Sequence, residues 1–208
     1  MELCVEHLSC AKDGVVLLEG LSFKVSAGQA LVLRGDNGIG KTTLLRLLAG
    51  LIKPLAGKVK VGQDDLVYGA HLDGVKTALT VTENLHFWAM VYGQTDIVHA
   101  LSVMNLKTLH DRFAAHLSAG QKRRLGLARF LVTGCKIWIM DEPTVSLDAS
   151  STELFQNMLS THLASGGIAV IATHIELGLI GAMTLDLNQY RANIETQSHQ
   201  GAFDEAMI

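Results

Sequence analysis

Ala30-Leu-Val-Leu-Arg-Gly35-Asp-Asn-Gly-Ile-Gly-Lys41-Thr-Thr-Leu-Leu-Arg-Leu-Leu-Ala49 is the stretch that decides the fold. Its first four residues are continuously apolar, as a strand buried on both faces must be. From Thr42 to Ala49, Leu44, Leu45, Leu47 and Leu48 line a helix, and Gly50 is its expected stop. Between strand and helix lies the pattern G-x-x-x-x-G-K-[ST], here Gly35, Asp36, Asn37, Gly38, Ile39, Gly40, Lys41 and Thr42, followed by Thr43. Glycines let backbone N–H groups turn inward around phosphate oxygens, and the helix start adds its positive dipole end. Lys41 is expected to reach the β- and γ-phosphates, and Thr42 to offer its hydroxyl to Mg²⁺. Asp36 and Ile39 fill variable positions where the backbone does the binding. A glycine-rich turn with a chance lysine is the bland alternative, and a buried strand before and a helix after disfavour it.

Outward from this loop, the opening residues alternate apolar and polar through Leu3, Val5 and Leu8, and again through Leu21, Phe23 and Val25. These predict strands of an antiparallel layer joined by a turn at Asp13-Gly14. Short strands are expected at Lys58–Val61 and Asp65–Tyr68. Thr82 to Leu109 is mostly helical in pattern, with a break at Tyr92-Gly93, and reads as a helical insertion into an α/β core. A helix follows over Leu125–Val132, with basic Lys122, Arg123 and Arg124 near its start. Ile137–Met140 and Ile168–Ala172 are buried strands on either side of an amphipathic helix over Thr152–Leu163. The polar stretch beyond Gln189 is expected to be loosely ordered.

Composition narrows the class. With 208 residues, 49% of them hydrophobic, the chain can bury one sizeable core. A formal charge of −3 argues against a nucleic-acid partner, which calls for a basic excess. The start MELCVEHLSCAKDG lacks the basic-then-apolar pattern of a secretory signal. The most apolar stretch, Gly166–Met183, contains His174 and Glu176 and several glycines, which disfavours a membrane span. Cys4, Cys10 and Cys135 show no metal or haem spacing and read as reduced thiols.

Three further motifs sharpen the chemistry. Ile137–Met140 delivers Asp141 and Glu142 at its end, so that Asp141 would hold Mg²⁺ through water and Glu142 would orient or deprotonate an attacking water. A solvated acidic turn is the rival reading, weakened by the phosphate loop. Leu117-Ser-Ala-Gly-Gln121 places Ser118, Ala119, Gly120 and Gln121 at a helix start, again offering a hydroxyl and N–H groups to phosphate. A second such terminus is redundant within one chain, but makes sense if it completes a site on another subunit.

With Leu117–Gln121 in hand, the sequence resembles the ATP-binding cassette (ABC) family, whose signature is usually LSGGQ. Ser146-Leu-Asp148 resembles that family's D-loop, and His174, after Thr173, resembles its switch histidine, which contacts the γ-phosphate. The resemblance covers nearly the whole chain. It implies an α/β fold of the P-loop NTPase class in ABC form: a mixed β core with an antiparallel β subdomain and an inserted helical subdomain over about 72–130, within one nucleotide-binding domain, 1–208. It further implies ATP and Mg²⁺ as cofactors and a head-to-tail pair. In that pair each nucleotide lies between one chain's Gly35–Thr42 loop and the other's Ser118–Gln121, with Asp148 linking the two sites.

Two departures stand out. His71 occupies the place of the family's usual glutamine, where it would meet Mg²⁺ and the attacking water or simply pack at the lobe junction. Ala11-Lys12-Asp13 lacks the aromatic that usually stacks on adenine. The run Gly69-Ala-His-Leu-Asp-Gly-Val-Lys76, with Leu79–Leu85, resembles the ATP-binding subunits of cytochrome c maturation haem exporters. That narrower resemblance implies an ATPase peripheral to the cytoplasmic face of the inner membrane, working with transmembrane subunits of a haem-handling complex. Phe87, Trp88 and Tyr92 of the helical lobe are candidates to dock those partners, although ordinary core packing explains much of that apolar content. An ABC ATPase for another exported small molecule, or a soluble non-transport one, are the competing readings.

Overall fold

The computed structural model describes residues 1–62, 65–70 and 73–192. Strands β1 (Glu2–Lys12) and β2 (Val15–Ser26) form a long antiparallel hairpin, with β4 (Ala56–Lys60) on the other side of β1. The hairpin turn falls at Asp13-Gly14 as the sequence predicts. Both residues have positive φ (51° and 81°), the conformation that matches the twist of a two-residue hairpin.

The second sheet has five strands in the order β5-β6-β7-β3-β8, each neighbouring pair parallel. They are β3 (Ala30–Arg34), β5 (Leu66–Gly69), β6 (Ile137–Asp141), β7 (Ile168–Ala172) and β8 (Met183–Asp186). All five residues of β6 and of β7 are buried, which explains their unbroken apolar runs. Alternate side chains separate into two cores. Leu31, Leu33, Ile137, Ile139, Ile168 and Val170 face α1 (Lys41–Leu48) and the antiparallel sheet. Trp138, Met140, Ala169 and Ile171 face the other way, among Leu85, Leu127 and Phe155. Those three belong to α2 (Val81–Val91), α4 (Ala119–Leu131) and α5 (Ala149–Ala164). Each fully buried Leu or Phe contributes about 1.5–3 kcal/mol.

The break expected at Tyr92-Gly93 is present: α2 ends at Val91, and Gly93 has φ 69°. α3 (Val98–Val103) follows, then a 3₁₀ turn over Lys107–Leu109. α4 begins earlier than its apolar periodicity indicates. Ser118 caps it by accepting from the Gln121 amide, while the Gln121 side chain accepts from the Ser118 amide. The basic run Lys122–Arg124 therefore lies inside the first two turns. β8 has no counterpart in the sequence reading. Gly166–Met183 divides into β7 and a connection leading to β8, and among the described residues no helix is long and apolar enough to cross a membrane.

Of the stretch beyond Gln189, residues 190–192 are held rather than loose, and the rest, from 193 on, lies outside the described residues. A 3₁₀ turn over Leu187–Tyr190 leads to Arg191, which bridges Leu18, and the Ala192 amide donates to Leu17 O at 3.1 Å.

Candidate functional site

The phosphate loop, the ends of β6 and β7, and the β1–β2 hairpin enclose a pocket of about 330 Å³. Its lining includes Gly38, Gly40, Lys41, Thr42, Asp141, Glu142 and His174. The loop owes its path to left-handed backbone at Gly35 (φ 141°), Gly38 (82°) and Gly40 (116°). A Cβ on Gly40 would lie 3.3 Å from the Leu17 and Leu18 side chains, a tight fit on top of a left-handed backbone that strains any larger residue. Gly40 also precedes α1 without a side-chain cap. The first N–H groups of that helix thus stay free for an anion, where the helix dipole favours one.

Lys41 Nζ donates to Gly35 O at 2.7 Å and to Asp36 O at 3.1 Å, so its ammonium lies across the loop it would serve. Thr42 Oγ1 donates to Asp141 Oδ2 at 2.7 Å, although the two are 99 residues apart in sequence. Asp141 is buried, at 5% exposure. A hydroxyl and a carboxylate oxygen in contact are the hard donors Mg²⁺ prefers, and that ion completes its shell from phosphates and water. The donor set fits it.

Glu142 follows with φ 49°, uncommon for a residue with a side chain and costing about 1–3 kcal/mol. Its amide donates to Ala172 O at 2.8 Å, which ties it to the end of β7. Its carboxylate Oε1 lies 3.4 Å from His174 Nε2. Arg34, at the end of β3, donates to the Thr173 and Ile175 carbonyls and pairs with Glu176 at 3.1 Å, fixing the segment that carries His174. Lys41, Thr42, Asp141, Glu142 and His174 thus come from three parts of the chain into one pocket.

Other expected residues lie elsewhere. Among the described residues, the pocket lining includes none of Ser118, Ala119, Gly120, Gln121 or Asp148. Ser118 and Gln121 are engaged with each other at the start of α4. Asp148 caps α5 by accepting from the Ser151 amide at 2.7 Å. That amide first, then the Ser151 and Ser150 hydroxyls, holds its carboxyl below the ordinary value. His71 lies outside the described residues.

Several residues have a place in the site that sequence pattern did not reveal. Lys12 and Leu17 line the pocket from the β1–β2 hairpin, on the side where no aromatic is present. Asn188 Oδ1 accepts from the Asp36 amide at 3.3 Å, and Arg191 Nη2 lies 3.3 Å from Asp36 Oδ2. Arg123, only 5% exposed, reaches under the Glu142–Pro143 peptide from α4. A larger hollow of about 670 Å³, floored by Phe130, Trp138 and Met158, contains none of the phosphate-site residues.

The family described as ABC transporter matches residues 18–145, which takes in the phosphate loop, the Leu117–Gln121 segment and the Asp141-Glu142 pair. The chain belongs to the ABC transporter family. Among ABC relatives, the cytochrome c biogenesis ATP-binding export protein CcmA of Rhodobacter capsulatus is 56% identical over 203 residues, covering 97% of this chain and 95% of that protein. The protein of the same description from Roseobacter denitrificans is 52% identical over 208 residues, all of both chains. Among solved structures, cbiO1 from Clostridium perfringens, part of the ABC transporter complex cbiONQ, aligns with TM-score 0.72 at 25% identity. The alignment covers 83% of this chain and 78% of that one. An ATP-binding subunit of an ABC transporter aligns with TM-score 0.81 at 22% identity over 97% and 94%, a likeness of fold. As an ABC ATPase the chain binds ATP.

Proposed function

We propose that this chain is the ATP-hydrolysing subunit of a bacterial ABC complex for haem export in c-type cytochrome biogenesis, docked on transmembrane partners at the cytoplasmic face of the inner membrane. The observation that carries the ATPase reading is the convergence of Lys41, the Thr42–Asp141 contact and the Glu142–His174 pair in one pocket. The biogenesis reading rests on near full-length similarity to proteins described as cytochrome c biogenesis ATP-binding export proteins.

In this reading residues 1–208 act as one nucleotide-binding unit, with the helical elements between about 72 and 130 as its inserted lobe. Amides of Asn37–Thr43 cradle the phosphates and Lys41 neutralises their charge. Thr42 and, through water, Asp141 would hold Mg²⁺, which would supply positive charge to the phosphates. Glu142 accepts a proton from water as that water attacks the γ-phosphorus. The bond from the γ-phosphorus to the bridging oxygen breaks, and ADP and phosphate leave. His174 sits beside Glu142 to contact the γ-phosphate. The base lies toward Leu17 and the aliphatic stem of Lys12, an apolar and cationic platform in place of an aromatic one.

Ser118, Ala119, Gly120 and Gln121 of a second copy close the site, and Asp148 lies at the junction of the two sites. Closure requires the γ-phosphate, so hydrolysis reopens the pair and drives the membrane partners. Phe87, Met90 and Val91 form the exposed apolar face of α2 suited to docking those partners. Trp88 and Tyr92, expected there from sequence, pack against the core instead.

Glu142→Gln keeps the size of the side chain and removes the base. ATP should then hold the chain as a dimer with turnover reduced about 100-fold or more. Wild-type turnover in that variant would overturn the assignment of Glu142. Deleting the gene should abolish covalent haem attachment in c-type cytochromes, and normal cytochromes would contradict the biogenesis reading.

A further inference from the structure

We propose that Arg123 and Asp73 form a positioning pair that sets the backbone of Glu142 and links it to the α4 helix carrying Ser118–Gln121. The guanidinium is used on all sides. Its Nε donates to Pro143 O at 3.0 Å, one terminal nitrogen donates to Glu142 O, and the other pairs with the Asp73 carboxylate. Arg123 is 5% exposed, and it sits a little over one turn into a helix whose first residues face the chain's outer surface.

The surroundings are shaped for this pair. Gly126, one turn further along α4, leaves the space Asp73 fills, since a Cβ there would fall 2.7 Å from the Asp73 Cβ. Arg129, a further turn on, donates to Asp73 O at 3.3 Å and to Tyr68 O at 3.1 Å, which fixes the same segment against the end of β5. Burying a guanidinium is costly even when it is paired, so retaining it is better explained by geometry than by stability.

That geometry bears on Glu142. The residue's unusual φ of 49° is held from both sides: its amide by Ala172 O, its carbonyl by Arg123. Fixing both peptide groups aims the carboxylate toward His174. Any shift of α4, as when a second chain closes on its N-terminus, is carried by Arg123 to the Glu142 carbonyl. Hydrolysis is thereby made sensitive to whether Ser118–Gln121 is engaged. The inference rests on the reading of Glu142 as the group that activates water.

The test replaces the partly buried ion pair with an apolar one, Arg123→Met with Asp73→Leu, which preserves packing without leaving a lone charge, alongside the milder Asp73→Asn. Steady-state ATP turnover and KM are measured for both. A small misplacement of a catalytic group costs on the order of 10- to 100-fold in rate. The double variant should lose that much in kcat with KM for ATP within about threefold of wild type, and Asp73→Asn should lose part of it. Arg123→Lys, which keeps the charge and a single donor nitrogen, should recover activity relative to the double variant. Unchanged kcat in a folded double variant or in Asp73→Asn would overturn the proposal. So would a loss of ATP binding in step with kcat, which would make Arg123 a prop for the whole pocket. Glu142→Gln separates the two levels. If it turns over normally, the reading of Glu142 fails; if it is inactive while the Arg123 and Asp73 variants are not, only the positioning role falls.

Discussion

The two phosphate-type helix starts of this chain, Gly40–Lys41 at α1 and Ser118–Ala119 at α4, are built oppositely. The α1 start has no side-chain cap and opens into a pocket shared with Asp141, Glu142 and His174. The α4 start is closed on itself by the reciprocal Ser118–Gln121 hydrogen bonds, and none of its first residues line that pocket. An uncapped helix end leaves its N–H groups to water or to an anion, whereas a capped one has satisfied part of them itself. In the proposed function one end is the receiving half of a site. The other is a self-sufficient surface able to wait for a second chain.

The largest expected effect breaks the receiving half. Lys41→Ala removes the charge that meets the triphosphate and should weaken ATP binding and lower kcat/KM by about 100-fold or more; equilibrium binding of a fluorescent ATP analogue checks it. Next, Ser118→Asp keeps a good helix cap but sets a negative charge where a partner's phosphate would lie. Turnover should fall about 10- to 100-fold while the isolated chain binds ATP as wild type. Equal losses of binding and turnover would erase the distinction between the two ends.

A smaller effect sharpens the receiving half. Lys12→Tyr adds the missing aromatic beside Leu17, and base stacking is worth about 1–3 kcal/mol. KM for ATP should drop severalfold, with kcat little changed.

The smallest effect lies far from both ends. His162 stacks on Trp138 with ring centroids 3.6 Å apart, and burial lowers its pKa below the ordinary 6.5. As pH falls through about 6.5, the unfolded chain takes up this proton before the folded one, so stability present above that pH is lost below it. The melting temperature should fall less between pH 7.5 and 5.5 in His162→Phe than in wild type, with turnover at pH 7.5 unaffected.

What sequence revealed and what it concealed follow from the range of each interaction. The buried strands, the Asp13-Gly14 turn and the glycine loop are local patterns, legible because periodicity and backbone conformation are written in adjacent residues. Asp141 and Glu142 were legible because a buried strand ends on them. Arg123 was not, since Lys122-Arg-Arg124 reads as a solvated basic run and its partner Asp73 is 50 residues away. Lys12 and Leu17 enter the pocket only because the hairpin folds over the phosphate loop, and the four residues of β8 are too few to show a period. For Trp88, sequence leaves docking and core packing both open, and its place beside Arg129, 5.1 Å from the guanidinium, comes only from the fold.

Completion of each site by another chain can be probed by mixing Lys41→Ala chains with Ser118→Asp chains. Each variant alone has no intact site in a head-to-tail pair. A mixed pair joins the intact Lys41 of one chain to the intact Ser118 of the other. Half of the pairs would be mixed, with one whole site each, so ATP turnover should recover to about a quarter of wild type. A mixture no more active than its two components would contradict the account.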